Sequence, residues 1–310
     1  MRNNIGSFWS MWDLHVHTPE SVLSNEFGNN WDDYVTKLFK KAIKENIKAL
    51  GITDYFSIEG YKKMKNEYLL NENKLRSLFQ QEEVEYIKSM LIIPNVEFRL
   101  NKLVGTNRIN FHVLFSDKIK ISEIEENFLH NLDFVYEGNP FSSDEKRKLK
   151  LSNLESLGKK LQEEHDVFRS QTPIFTGMMN AVVDDAQICE VLGSNPSIFQ
   201  KNYLLAIPCD EDLSAVSWNG QDHQTRKVLI QKSNLLIASN PNTIKWGLGQ
   251  KSESAEAFIQ EFKSLKPSIF GSDAHKFEEL FINTPVVFPQ LIEANLINSA
   301  LGIIFVHTMA

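Results

Sequence analysis

The sequence predicts an α/β fold, a distorted seven-stranded (β/α)7 barrel carrying a largely helical insertion. Three observations predict it: seven short apolar runs of strand length, amphipathic helical segments between several of them, and a stretch from 118 to 200 that breaks the alternation. The first run, MWDLHVH at 11–17, precedes WDDYVTKLFKKAIKEN, where Val35, Leu38, Phe39, Ala42 and Ile43 repeat at helical spacing. Aspartates in its first turn and lysines towards its end follow the helix dipole. IKALGIT at 47–53 completes a strand–helix–strand unit, the grammar of a parallel sheet. Further strand runs are LIIPNVEF (91–98), INFHVLF (109–115), YLLAIP (203–208), NLLIAS (234–239) and PSIFGSD (267–273), with helices expected over 62–90, 224–232 and 252–265. The segment 118–200, including LSNLESLGKKLQEEHDVF, is helical in pattern and reads as an insertion or lid. The barrel is expected to span 1–281, leaving 282–310 as a short atypical tail. No tandem repeat is visible, which sets solenoids aside.

Composition narrows the function classes. The 310 residues are 42% apolar and 24% charged, the profile of a well-packed globular protein. A net charge of -7 repels polyanions on average, so a phosphate-bearing substrate must be attracted locally. Cys189 and Cys209 form no CxxC pair, which excludes a disulfide framework and a thiolate zinc finger and points to a reducing, cytoplasmic compartment. No segment has signal-peptide character or the length to cross a bilayer; the apolar end NLINSALGIIFVHTMA comes nearest. GSNPS and NPNTIKWGLG lack the GxxxxGK[ST] spacing, so no ATP-binding P-loop is expected.

His15 and His17 stand two apart at the end of the first strand, so both leave one face and can reach one ion. Such a pair is weak evidence alone. Asp273 and His275, in GSDAH, form a second such pair at the end of the last strand, and barrel closure makes first and last strands neighbours. Asp54 in GITDY, Glu97 in IPNVEF and His112 in NFHVLF add potential ligands from three more strands, at the rim where parallel barrels gather functional groups. Each has an ordinary structural explanation alone: a core histidine, a turn former, half of an ion pair. Together they would bury several carboxylates and imidazoles in one place, which is costly without a cation.

The remaining histidines carry less. His130, His165 and His307 read as solvated, whereas His223 stands beside Arg226 and Lys227 just before a helix and is a candidate, with Arg226, for substrate contact. Lys146, Arg147, Lys148 and Lys150 could steer a phosphate, although a solvated helix face is the favoured reading.

The order DLHVHT, GITDY, VEF, FHVLF and GSDAH, over residues 11 to 281, resembles the polymerase and histidinol phosphatase (PHP) superfamily of metal-dependent phosphoesterases. DLHVHTPES and GSDAHKFEELF look like the PHP module of TrlF-like proteins, which couple it to a large SMC-like ATPase and are associated with anti-phage defence. The resemblance implies that His15, His17, Glu97 and Asp273 hold a first metal, that Glu97 bridges to a second held by His112, and that His275 serves a third. Tyr55 replaces the histidine usual after Thr-Asp, and another expected histidine is absent, so two ions are expected, of Mn, Zn or Fe. After the fifth strand, where a further histidine is usual, Asp210 is the candidate ligand. Asp54 and His275 are the candidates for proton transfer or for orienting ligands from outside the metal's own shell. Three functions stay open: nucleic-acid phosphodiester cleavage, hydrolysis of a small phosphomonoester or nucleotide, and metal binding without turnover. The ending INTPVVFPQ departs from the TrlF-like pattern, so the ATPase is expected to be missing or supplied by another chain.

Overall fold

The computed structural model describes residues 11–104, 107–134, 144–210, 219–220 and 222–282. One sheet contains β1 (Met11–His17), β2 (Ile47–Tyr55), β3 (Leu91–Val104), β4 (Asn107–Phe115), β5 (Tyr203–Pro208), β6 (Leu235–Ile237) and β7 (Ser268–Ile269), paired in chain order. Past β7 the chain runs parallel to β1 and nearly closes the ring. Leu14 N donates to Phe270 O at 3.3 Å, Asp273 N to His15 O at 3.0 Å and His17 N to Ala274 O at 3.1 Å. The predicted seven-stranded barrel is formed.

One strand corrects the all-parallel expectation. β4 is antiparallel to both β3 and β5, while the other pairs are parallel. The link between β3 and β4 is too short for a crossover helix, so the two can pair only as a hairpin. Glu97 and His112 are therefore register partners within long strands, not residues at parallel carboxyl ends.

Helix α1 (Trp31–Lys44) lies between β1 and β2, capped by Asn30, whose side chain accepts from Asp33 N, and buries Tyr34, Val35, Leu38, Phe39 and Ala42. The helical stretch before β3 is broken into α2 (Glu59–Lys63), a π-helical turn at Met64–Leu69, α3 (Glu72–Leu78) and α4 (Gln81–Ser89). Asn71 caps the restart at α3 by accepting from Lys74 N. Between β4 and β5 come α5 (Ile121–Asn127), α6 (Asp144–Arg147), α7 (Leu151–Glu164), α8 (Pro173–Asn180), α9 (Asp185–Ser194) and α10 (Pro196–Phe199), the helical block expected there. Helices α11 (His223–Lys232), α12 (Pro241–Gly247) and α13 (Ala255–Phe262) accompany the last strands. Among the described residues, no helix is long and apolar enough to cross a membrane. The tail from 283, with His307, and the 211–218 segment lie outside the described residues.

The helical block docks on the far end of β3. Val183 N donates to Arg99 O and Asn101 N to Val183 O, both at 3.0 Å. Asp185, almost fully buried, ion-pairs with Lys102 of β3 and Lys232 of α11. Removing the buried Asp185 leaves two partly exposed lysines without their shared acceptor, so Asp185→Ala is expected to cost about 2 kcal/mol. Denaturant unfolding should show the loss, and an unchanged midpoint would contradict it.

Inside the ring, Trp12, Leu14, Ala49, Leu91, Ile93, Leu114, Leu204, Ala206, Leu235 and Ile269 form an apolar plug drawn from all seven strands. Strict alternation would send Leu14 and His15 to opposite faces. A β-bulge prevents this: Asp13 pairs with Leu50 and Val16 with Ile52, so β1 spends one more residue than β2 between these pairs. Leu14 packs in the plug, and His15 and His17 reach the mouth above it. Gly51 lies opposite the bulge, where a Cβ would stand 2.2 Å from Leu14 O. No larger residue fits there without moving β1.

Candidate metal centre

Three of the central donors come from strands, His15 and His17 from β1 and Glu97 from β3, and Asp273 comes from the segment just past β7 that pairs with β1. His15 Nε2 lies 3.1 Å from His17 Nε2, from Glu97 Oε2 and from Asp273 Oδ1, and His17 Nε2 lies 3.2 Å from both carboxylate oxygens. Donors at this spacing on a tetrahedral or octahedral shell stand about 2 Å from its centre, the length of metal–nitrogen and metal–oxygen bonds. The four ligand atoms all fall within 4.8 Å of one another. Asp273 adopts a left-handed backbone with φ 50°, a strained conformation that aspartate tolerates better than most residues.

His112 supplies an independent test of fit. Asn95 Nδ2 donates to the backbone oxygen of Leu14 at 2.9 Å and to Thr53 Oγ1 at 3.0 Å, which fixes the amide so that Oδ1 faces His112 Nδ1 at 3.2 Å. That oxygen can only accept, so the proton resides on Nδ1 and the lone pair on Nε2. His112 Nε2 is buried without a hydrogen-bond partner, and its ring meets His15 edge-on with centroids 4.5 Å apart. An unsatisfied imidazole lone pair beside two histidines and two carboxylates suits a cation and little else.

The electrostatics agree. Burial, which would lower His17, is outweighed by hydrogen bonds to Asp273 and Glu97 that take it up to about 9. His15 is raised too, against burial, chiefly by the Asp273 charge. Glu97 is held well below its usual range despite burial, by His15 and His17. Burial, aided by the charge on His15, pushes His112 down to about 3, so it offers a neutral ligand nitrogen.

The other predicted residues sit around this core in different ways. His275 stacks on His17 at 4.0 Å, but its Nδ1 faces Asp273 O at 2.8 Å and its Nε2 faces the Tyr55 hydroxyl at 3.1 Å. With a carbonyl at Nδ1, the Nε2 lone pair is taken by the phenol, and His275 stands outside the quartet. Burial pushes Tyr55 well above its ordinary value, which keeps the phenol a proton donor. Asp54 is buried behind His17, and its oxygens accept from Thr18 Oγ1, Ser21 Oγ and Gly60 N. That enclosure suits orientation of a ligand better than exchange of protons with a substrate. Asp210 lines a cleft of about 80 Å³ together with His15 and Asp273, yet Oδ2 is held by the backbone N–H groups of Ser239 and Asn240, and Oδ1 is buried without a partner.

Arg226 lines a neighbouring cavity of about 400 Å³ that shares Asp210 with this cleft, whereas His223 starts α11 half-buried and lines neither. In the helical block, Lys148 pairs with Asp133 at 3.0 Å and Lys150 with Glu145, so these two members of the basic stretch at 146–150 are paired with local acids. Residues that the sequence did not single out also lie at or near the site. Asn95 sets the His112 tautomer, Asn110 lines the cleft, and Arg99 places its guanidinium 5.8 Å from the Tyr55 ring centre. The available signal was period two: Asn95 and Arg99 flank Glu97 on one strand face, and Asn110 precedes His112 on the same face of β4.

No protein family and no curated protein matches the chain. A solved structure from Bifidobacterium adolescentis, described provisionally as a metal-dependent phosphoesterase, is similar at 11% identity, with a TM-score of 0.42, over 92% of this chain and 95% of that one. A likeness so distant leaves the chemistry to rest on the residues themselves.

Proposed function

We propose that this chain is a hydrolase of phosphate esters that works with divalent cations held by His15, His17, Glu97 and Asp273, with His112 completing a second position. The observation that carries the reading is the quartet of donors at 3.1–3.2 Å with the unpartnered His112 Nε2 beside it. When bound, such ions supply a nucleophile at neutral pH and neutralise charge developing on phosphoryl oxygens. The chain's own groups do the rest. Arg226, in the neighbouring cavity that shares Asp210, is the candidate for holding anionic oxygens, and the Tyr55–His275 pair, bonded to each other at 3.1 Å, is a candidate for orienting groups at the mouth.

Polynucleotide phosphodiesters in a defence setting, with an SMC-like ATPase supplied by a partner, form the substrate and partner reading that the sequence resemblance favours. A small phosphomonoester is favoured instead by the charge of -7 and the narrow cleft. The deciding experiment counts bound metals and assays single-stranded DNA, duplex DNA, RNA and a phosphomonoester panel with added Mn. Metal binding with no turnover of any substrate would leave a regulatory metal-binding domain. Changing Lys146, Arg147 and Lys148 together is expected to flatten the salt dependence of polynucleotide binding by up to three units of slope if the helical block guides nucleic acid, about one per phosphate contact. An unchanged slope would return these residues to a solvated face. Failure of the chain to copurify with a neighbouring gene's ATPase would count against a stable complex.

A further inference from the structure

His17 is held from behind by a chain of hydrogen bonds that none of the metal donors supplies. Its Nδ1 lies 2.8 Å from Ser21 Oγ, and Ser21 Oγ lies 2.8 Å from Asp54 Oδ1. Asp54 is itself fixed: Thr18 Oγ1 donates to Oδ1 at 2.6 Å and Gly60 N donates to Oδ2 at 2.7 Å. Every member is buried. Ser21 Oγ also faces Thr53 O at 3.2 Å; the carbonyl and the ionised Asp54 carboxylate can only accept, so the single hydroxyl proton goes to that pair, the nearer being Asp54, and a serine lone pair faces His17. The neutral imidazole that a cation requires must then carry its proton on Nδ1 and keep the Nε2 lone pair for a cation shared with Glu97 and Asp273, whose oxygens stand 3.2 Å from Nε2. Gly60 belongs to the same device, since a Cβ there would lie 2.2 Å from Thr18 Oγ1 and 2.6 Å from Asp54 Oδ2.

We propose that Ser21 is a positioning residue that, backed by Asp54, fixes the tautomer and ring angle of His17 so that Nε2 faces the cation. Resting on the metal-centre reading above, this names a residue that the sequence did not single out, and it places Asp54 one hydroxyl away from the ligand. Hydrogen bonds behind a ligating imidazole raise its basicity and fix its direction, and their loss typically weakens metal binding.

The test compares wild type with Ser21→Ala and with Ser21→Cys, which keeps the size of the side chain but supplies a poor acceptor and donor. Affinity for Zn and for Mn is measured by competition with a chelator, and the His17 Nδ1–H signal is followed by nitrogen-edited NMR in the Zn-loaded protein. Both variants are expected to bind roughly 10–100-fold more weakly, and the exchange-protected Nδ1–H signal should disappear. Wild-type binding with variants within twofold of it and the Nδ1–H signal intact would overturn the role of Ser21 and leave the metal centre standing. A wild-type chain that binds neither ion would overturn the centre itself, and this role with it.

Discussion

Asp273→Ala and His15→Ala are each expected to abolish cation binding at the quartet and any hydrolysis that depends on it. His15 stands 3.1 Å from each of the other three donors, and Asp273 is the sole member contributed from beyond β7. Losing a residue that merely orients a ligand costs roughly 10–100-fold in affinity, so losing a ligand should exceed 100-fold. The fold should survive in Asp273→Ala, because the link across the barrel seam runs through Asp273 N to His15 O at 3.0 Å and needs no side chain. Bound metal per chain and the rate on whichever phosphate ester proves active are the measurements. Full activity in either variant would remove these residues from the centre.

The second large effect is a reversal of pH dependence on metal binding. In metal-free protein, His17 is raised from 6.5 to about 9. A base whose folded pKa is raised gives stability that is complete below 6.5 and is lost as pH climbs through 9, because the folded state binds more protons over that interval. This rise corresponds to about 3 kcal/mol, and His15, raised too, acts in the same direction. Asp13 and Asp54, pushed up to about 6 by burial, act at lower pH, between 3.8 and 6, and Lys266, pushed down to about 8 by burial, acts in the opposite direction above pH 8, so the window from 6.5 to 8 reports the imidazoles. Cations need deprotonated imidazoles, so their affinity should rise over the same range. At a thousandfold excess over its dissociation constant a cation stabilises by about 4 kcal/mol. Thermal midpoints between pH 6.5 and 8 should therefore fall with pH after chelation and fall less, or rise, with Mn or Zn present. Parallel curves with and without metal would contradict this account of the quartet.

The donor types are readable in the sequence because they recur at period two: His15 with His17 at the end of the first apolar run, and Asp273 with His275 just after the last. Several roles were not readable. Tyr55 looks in sequence like a lost ligand, but in the barrel its hydroxyl occupies His275 Nε2 at 3.1 Å. Asn95 looks like an ordinary strand residue, yet its amide orientation decides which nitrogen of His112 faces the site. Both roles depend on pairings between residues far apart in the chain, which local spacing does not encode.

The sequence by itself determined the seven strands, the helical block between the fourth and fifth, and the acidic and imidazole groups available to a cation, since apolar periodicity and residue chemistry are local properties. Only the tertiary structure decided that β4 runs backwards, that a bulge at Leu14 and His15 lets the plug and the site share one interior face, and that closure against residues 270–274 brings Asp273 to His15. Register, bulges and ring closure are set by hydrogen bonding between distant segments, so the same residues become a centre only when the strands pair this way.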